Sequence, residues 1–462
     1  MQNSFAIGLP RVKRPLGIVF ILSVALLAGC ATDKGRLLMP TPVLYQKEPG
    51  RSELFAKTVP ERRTTGVELL FIADRTTETN PESTQPYGEG RSRSLAFGTA
   101  MVEMVPGLTW ADLEYQSRLP ERTKDVALEL GRVKEVGRFP EEPYDFDVTS
   151  AGAVRSPTAL KEHRRAKSEF QDLLGGQLRQ SPSKDVVLYV HGFNETFETA
   201  AVSMGELCHF FGREHVCAIF TWPASASGNF VTSYTTTTES ATYAVGHLAK
   251  TIRMIAQTPG VKRINLMAHS RGSALLLNAI RELAIETIAA GVVPLKALKI
   301  HNVVLMAPDI DLEVADQQMQ IFVSNPDMFT SWRGNRLPRF MSGRWTIYSS
   351  PEDKALFVSR FLFRSRKRVG QLSIAELTGE STKAYAKWGQ MDIIVYQGER
   401  AALGHAYFTT SPQVSSDLIQ LIRYGASPGD PKRSLKKIGP VAWTFPGNEL
   451  ASNPRSTLRG QK

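Results

Sequence analysis

From Asp185 onward, short apolar runs and helical stretches take turns, and this alternation constrains the fold more than any other feature of the chain. Val186–Val190, Val216–Phe220, Ile264–Ala268 and Ile300–Met306 are predominantly apolar. A strand with one wet face alternates polar and apolar residues, whereas near-continuous apolar runs mark strands covered on both faces. Helical patterns at Glu195–Phe211, Ser240–Gln257 and Ser273–Ala290 lie between these runs. Trp345–Tyr348 and Met391–Tyr396 extend the series, and a helix near Val414–Leu421 follows. The pattern predicts an α/β fold with a mostly parallel central sheet and helices on both faces. Ligands bind such sheets at the carboxyl ends of the strands, so chemistry is sought directly after each strand.

The chain has 462 residues, more than the ~250–300 at which one core usually stops growing, so additional elements are expected. Val67–Ile72, Leu95–Val105 and Val126–Val136 read as strands, and Lys161–Leu174 as a helix. Thr76–Arg93 and Pro140–Pro157 read as loops. Residues 427–462, rich in Gly, Pro, Lys and Arg, read as a tail that wraps the surface or is poorly ordered.

The N-terminus carries an address. Arg11, Lys13 and Arg14 precede a short apolar run, Leu16–Leu27, which falls short of the ~20 residues of a membrane span. It ends in Leu27-Ala28-Gly29-Cys30, which resembles the lipobox of bacterial lipoproteins. The resemblance implies a cleaved signal at residues 1–29, a lipidated Cys30 and a stable acyl anchor. Residues 30–60, polar and Pro-containing, read as a tether, and residues 61–426 as the globular domain. Ala31 after Cys30 is not Asp, which by analogy with other lipoproteins favours the outer membrane, facing the periplasm. Losing Arg11, Lys13 and Arg14, with no acidic residue before Cys30, lowers the net charge from +11 to +8. That excess reads as a basic surface, and nucleic acid is not an expected partner of an exported, tethered protein. Cys208 and Cys217 are expected to be two small buried hydrophobes rather than a bridge, although export would permit one.

Three segments after strands carry chemistry. Ile264–Met267 runs into Ala268-His269-Ser270-Arg271-Gly272 and then a helix. This strand, sharp turn and helix resembles the nucleophile elbow G-x-S-x-G, with Ala in the first small position. It makes Ser270 the candidate nucleophile; the alternative is a helix-capping serine. His191-Gly192-Phe193-Asn194 follows Val186–Val190. It reads either as an oxyanion loop, with Phe193 N–H and Arg271 N–H as the two donors, or as a turn capped by Asn194. His405, in Gly404-His405-Ala406-Tyr407 after the last strand, stands where this order of elements puts the general base. His301 begins a strand and reads as structural. The acid that orients the base is Asp353, with Asp309 as the alternative. No metal-ligand spacing is present, and the chemistry calls for no metal or organic cofactor.

Together, His191-Gly192-Phe193-Asn194, Thr221-Trp222-Pro223, Ala268–Gly272, Ala307-Pro308-Asp309-Ile310-Asp311, Asp353-Lys354-Ala355-Leu356 and Gly404–Tyr407 resemble a bacterial α/β-hydrolase family of unassigned specificity. The resemblance spans about Asp185 to Leu421, and the opening strands near Val67–Arg75 and Leu95–Pro106 fit it too. It implies a serine hydrolase acting on a small-molecule or lipid ester through an acyl-enzyme. An amidase or peptidase using the same residues, and a non-catalytic envelope lipoprotein, are the competing readings. Arg271 stands where Met is common in the family and brings a charge to the pocket. Residues 312–344, with Phe322, Met328, Phe329, Trp332, Leu337 and Phe340, read either as a lid that binds an acyl chain or as an ordinary core-facing helix. Arg360–Arg368 reads as a solvated helix face with a few buried aromatics rather than a lipid contact.

Overall fold

A computed structural model describes residues 36–46, 53–105, 107–224, 229–323, 339–377, 382–398 and 404–447. The expected signal, Cys30 and residues 324–338 of the expected lid, including Met328, Phe329, Trp332 and Leu337, lie outside the described residues.

The described strands are β1 (Arg36–Leu37), β2 (Gly66–Thr77), β3 (Tyr87–Val105), β4 (Ala127–Arg138), β5 (Phe146–Thr149), β6 (Gly152–Arg155), β7 (Asp185–Val190), β8 (Val216–Thr221), β9 (Arg263–His269), β10 (Ile300–Met306), β11 (Trp345–Ser349), β12 (Met391–Val395), β13 (Lys436–Lys437) and β14 (Ala442–Thr444). Eight of them run parallel in the order β2-β8-β7-β9-β10-β11-β12-β14. Antiparallel β3, β4 and β1 extend one edge of that block, and β13 the other. β5 and β6 form a separate hairpin inside the segment read as a loop.

Register explains why the apolar runs are continuous. Leu188 pairs with Ala218 on one side and Leu266 on the other, so β7 lies mid-sheet. Val186, Leu188 and Val190 enter the core on one face, and Val187 and Tyr189 the core on the other. Both faces are covered by helices: α1 (Pro157–Arg179), α2 (Phe197–Phe210), α3 (Phe230–Tyr243), α4 (Val245–Gln257), α5 (Gly272–Ala289), α6 (Leu312–Val323), α7 (Lys354–Leu362) and α8 (Pro412–Tyr424). Phe170, Leu248 and Leu276 of α1, α4 and α5 cover one face, and Met204 and Leu418 of α2 and α8 the other. None of the described helices is long and apolar enough to cross a membrane.

Four expectations are revised. The tether reading fails beyond residue 35, because β1 pairs with β4 and Leu38, Met39 and Tyr45 are buried. Buried Glu206 accepts from the Met39 amide and from Arg36, which ties this segment to α2. The tail reading fails for β13 and β14, since a short strand finds its partner only when β12 presents an edge. Cys208 and Cys217 are disulfide-bonded, with Cα atoms 6.1 Å apart, because the turn after α2 brings the start of β8 back beside it. Finally, α7 packs through Leu356 and Ser359, leaving Phe357 and Phe361 outside at 60% and 74% exposure rather than buried. The disulfide closes a short loop, and such bridges contribute about 2–4 kcal/mol. Cys208→Ser is therefore expected to lower the guanidinium midpoint by that amount of stability, and an unchanged midpoint would show that the bridge constrains nothing.

Candidate active site

The turn between β9 and α5 explains the spacing of small residues. Ser270 sits in the left-handed region at φ 51°, a conformation that non-glycine residues adopt only when their surroundings impose it. Ser270 N–H donates to Met306 O at 3.0 Å, and Asp309 and Ser273 N–H donate to Ser270 O at 3.1 Å each, so the end of β10 and the start of α5 fix the turn. A Cβ on Gly272 would lie 2.2 Å from His191 O, and one on Gly192 2.8 Å from Ser270 Cβ. The elbow and the loop after β7 thus pack backbone against backbone, which only glycine permits.

His405 and Asp353 meet. His405 Nδ1 lies 2.6 Å from Asp353 Oδ2, with the carboxyl fully enclosed. Asp353 also caps α7, its Oδ1 accepting from Leu356 N–H at 3.0 Å, so the helix start holds the carboxyl in place. Burial acts to lower the His405 pKa, but the Asp353 charge and hydrogen bond outweigh it and hold the imidazole above its ordinary value. The His405 ring stands 4.7 Å from that of His269, which immediately precedes Ser270. Among the described residues no hydrogen bond joins Ser270 Oγ to His405; such contacts are often long without substrate.

Asp309 is engaged elsewhere. It accepts from Tyr234 Oη and from Ser359 Oγ, and pairs with Arg271 at 3.2 Å and Arg368 at 3.4 Å. Both acid candidates stand at strand ends, but only Asp353 reaches His405. His301 lies at the start of β10, where its Nδ1 is 2.8 Å from Ser342 Oγ.

The His191 side chain builds the loop. Its Nε2 accepts from Trp222 N–H at 3.1 Å, its Nδ1 faces Gly192 O at 3.0 Å, and its ring stacks on Trp222. Burial lowers its pKa to about 4, so it stays neutral. Phe193 lies between this loop and Tyr234, ring centroids 5.0 Å apart. The Arg271 amide donates to no acceptor among the described residues.

Sequence reasoning missed several neighbours. Glu195 Oε1 accepts from Gly192 N–H at 3.0 Å and faces His269 Nδ1 at 3.4 Å, joining the loop after β7 to the elbow. Burial opposes the Glu195 charge, but His269, His191 and the Gly192 amide prevail and hold its carboxyl at about 2. Arg75, buried at the end of β2, donates to Glu195 O at 2.6 Å and Thr221 Oγ1 at 2.8 Å. Glu195 lies four residues after His191, so its closeness to that motif was the one available signal. Among the described residues no cluster of three or more His, Cys, Asp or Glu side chains could hold a metal ion.

A family model described as "alpha/beta hydrolase of unknown function (DUF900)" matches residues 166–424, more than half of the chain. No curated protein matches. Among solved structures, a Pyrobaculum calidifontis esterase is similar at 12% identity and TM-score 0.27, over 52% of this chain and 77% of that one. Esterase B from Lactobacillus rhamnosis is similar at 12% identity and TM-score 0.22, over 39% of this chain and 60% of that one. With its parallel sheet, helices on both faces and serine-bearing elbow, the chain belongs to the alpha/beta hydrolase family of unknown function.

Proposed function

We propose that this protein is a serine esterase whose catalytic residues are Ser270, His405 and Asp353. The observation that carries the reading is the 2.6 Å contact between His405 Nδ1 and Asp353 Oδ2 beside the strained Ser270 turn. A serine hydroxyl is a weak nucleophile and needs a base to take its proton. With Nδ1 engaged by Asp353, Nε2 is the atom left for that task. Ser270 Oγ attacks the ester carbonyl, His405 receives the proton, and the Phe193 and Arg271 amides stabilise the oxyanion. His405 then protonates the departing alkoxide, leaving an acyl-Ser270 that water, deprotonated by His405, releases as the acid.

The site is proposed to work at a membrane surface, held by a lipidated Cys30. The lipobox-like Leu27–Cys30 supports this, and the Cys208–Cys217 disulfide suits an oxidising compartment such as the bacterial envelope. Labelling by a fluorophosphonate tests the nucleophile. The wild type is expected to label and Ser270→Ala to lose labelling while keeping its circular dichroism spectrum. Equal labelling of a folded Ser270→Ala protein would assign the reactive serine elsewhere.

A further inference from the structure

The helix that places Asp353 leaves an apolar face uncovered. Leu356 and Ser359 of α7 are buried, while Phe357 and Phe361, four residues apart on the other side, stand in solvent. Phe363, in the turn after α7, is exposed as well. Val231 on α3 and Val314 on α6 add exposed apolar groups nearby. The link to α3 is Tyr234, whose ring lies 5.4 Å from that of Phe363, and the link to α6 is the Leu312 amide, which donates to Lys367 O at 3.1 Å. Single exposed apolar residues need no explanation, but a cluster of them with a polar rim marks a contact surface.

The charge threaded through this face has one sign. Lys354, Arg360, Arg364, Arg366, Lys367 and Arg368 follow one another, and no acidic residue occurs between Asp353 and Glu376. Asp309 pairs with Arg368 inside the molecule, Glu376 pairs with Lys367, and exposed Glu313 meets Arg366 at 3.5 Å. Among the described residues, Lys354, Arg360 and Arg364 pair with no carboxylate. Exposed rings interleaved with unpaired cations on long stems match the boundary of an anionic bilayer. There the rings enter the acyl region and the cations stay level with the phosphates.

The face also stands at the right end of the sheet. Helices α3, α5, α6 and α7 begin after β8, β9, β10 and β11, so their starts and Ser270 lie together at the carboxyl ends of parallel strands. Asp353, the cap of α7, is the residue that meets His405, and Tyr234 bridges the rings of Phe363 and Phe193. We propose that α7 and the turn after it dock on the headgroup layer of an anionic bilayer and turn the carboxyl end of the sheet, with Ser270, toward the lipid. The proposal deepens the membrane-surface reading of the Ser270 site and rests on it. An anchor at Cys30 holds the chain near a membrane, and this face decides which end of the sheet meets it.

The test reads position 361 directly. With Cys208 and Cys217 bridged, Phe361→Cys supplies a thiol for a nitrobenzoxadiazole probe, and Lys262→Cys, exposed at the amino end of β9, is the control. The labelled parent chain is the blank. The full chain is placed on vesicles of phosphatidylcholine alone or of an equal mixture with phosphatidylglycerol, so an anchor at Cys30 acts alike on both. On the mixed vesicles the probe at 361 is expected to shift to the blue and to be quenched by lipids spin-labelled on the acyl chain, and the probe at 262 to do neither. Each cation near an anionic surface contributes about fivefold, so Arg360→Gln with Arg364→Gln is expected to lower the insertion equilibrium by about 10- to 30-fold. Phe357→Ser is expected to weaken insertion as well, without disturbing the core. A probe at 361 unquenched on both vesicles, or insertion indifferent to phosphatidylglycerol and to the two arginines, would overturn the proposal. So would emission already blue-shifted without lipid, which would assign the face to another part of the chain or, if it varied with protein concentration, to a second copy. Fluorophosphonate labelling is scored separately. Labelling at Ser270 with an unquenched probe removes the docking face alone, and a quenched probe without labelling keeps the face and removes the esterase reading alone.

Discussion

Asp353→Asn is expected to reduce kcat for ester hydrolysis by about 10³- to 10⁴-fold with little change in KM. Removing a triad carboxylate turns the imidazole to the wrong tautomer and removes the charge that stabilises it once protonated. Asp353 alone among the acid candidates meets His405, at 2.6 Å, so Asp309→Asn should not reproduce the effect. The pH dependence separates the two further. Catalysis needs neutral His405, whose pKa Asp353 holds above the ordinary imidazole value against the pull of burial. The acidic limb of kcat/KM in the wild type should therefore lie above ~6.5. In Asp353→Asn burial acts unopposed by this carboxylate, and the limb should move to lower pH. For stability the sign is opposite to that of activity. The protonated pair stabilises the fold fully below the unfolded imidazole value, and this contribution is lost as pH rises through the raised folded one. An Asp353→Asn limb that stays at the wild-type pH, with kcat within about tenfold, would remove Asp353 from the mechanism.

The second large effect is expected from Gly272→Ala. The new Cβ would stand 2.2 Å from His191 O and 2.7 Å from Val190 O, and both obstacles are backbone at the end of a central strand. Neither can rotate aside, so α5 must withdraw from β7. We expect a loss of about 2–4 kcal/mol, read as a lower denaturation midpoint. The same withdrawal carries the Arg271 amide away from the oxyanion position, so fluorophosphonate labelling should slow by about 10²-fold or more even below the new midpoint. A stable, rapidly labelled Gly272→Ala protein would show that the elbow tolerates a looser contact than these distances imply.

Glu195 gives the elbow and the loop after β7 a second connection, through Gly192 N–H and His269. Together with neutral His191 stacked on Trp222, it makes the loop a rigid support for the candidate donor Phe193. The polar side chains of His191 and Glu195 beside Ser270 thus hold backbone in place.

The sequence by itself determined the elements whose cause is local. Apolar runs such as Val186–Val190 announced doubly covered strands, because a side chain buried on either face must be apolar wherever the strand lies. The elbow was legible for the same reason: a strand, a tight turn and a helix in succession leave small residues at fixed positions around Ser270. The order of elements singled out His405 as the candidate base. The tertiary structure decided everything that depends on distant segments meeting. Asp353 and Asp309 both follow strands, and nothing local distinguishes them; which of them meets His405 depends on a loop 52 residues beyond Asp353 folding back beside it. The same holds for β1, β13 and β14, strands of two or three residues that exist only because a sheet edge accepts them. Cys208 and Cys217 pair because a turn returns one element to another, and spacing alone carries no such geometry. Arg271 shows the division within one residue. Its place after Ser270 could be read from the chain, while its neighbours Tyr234, Asp309 and the Phe363–Arg368 stretch come from three separate segments. Electrostatic balance is a sum over neighbours in space, and no local pattern encodes it.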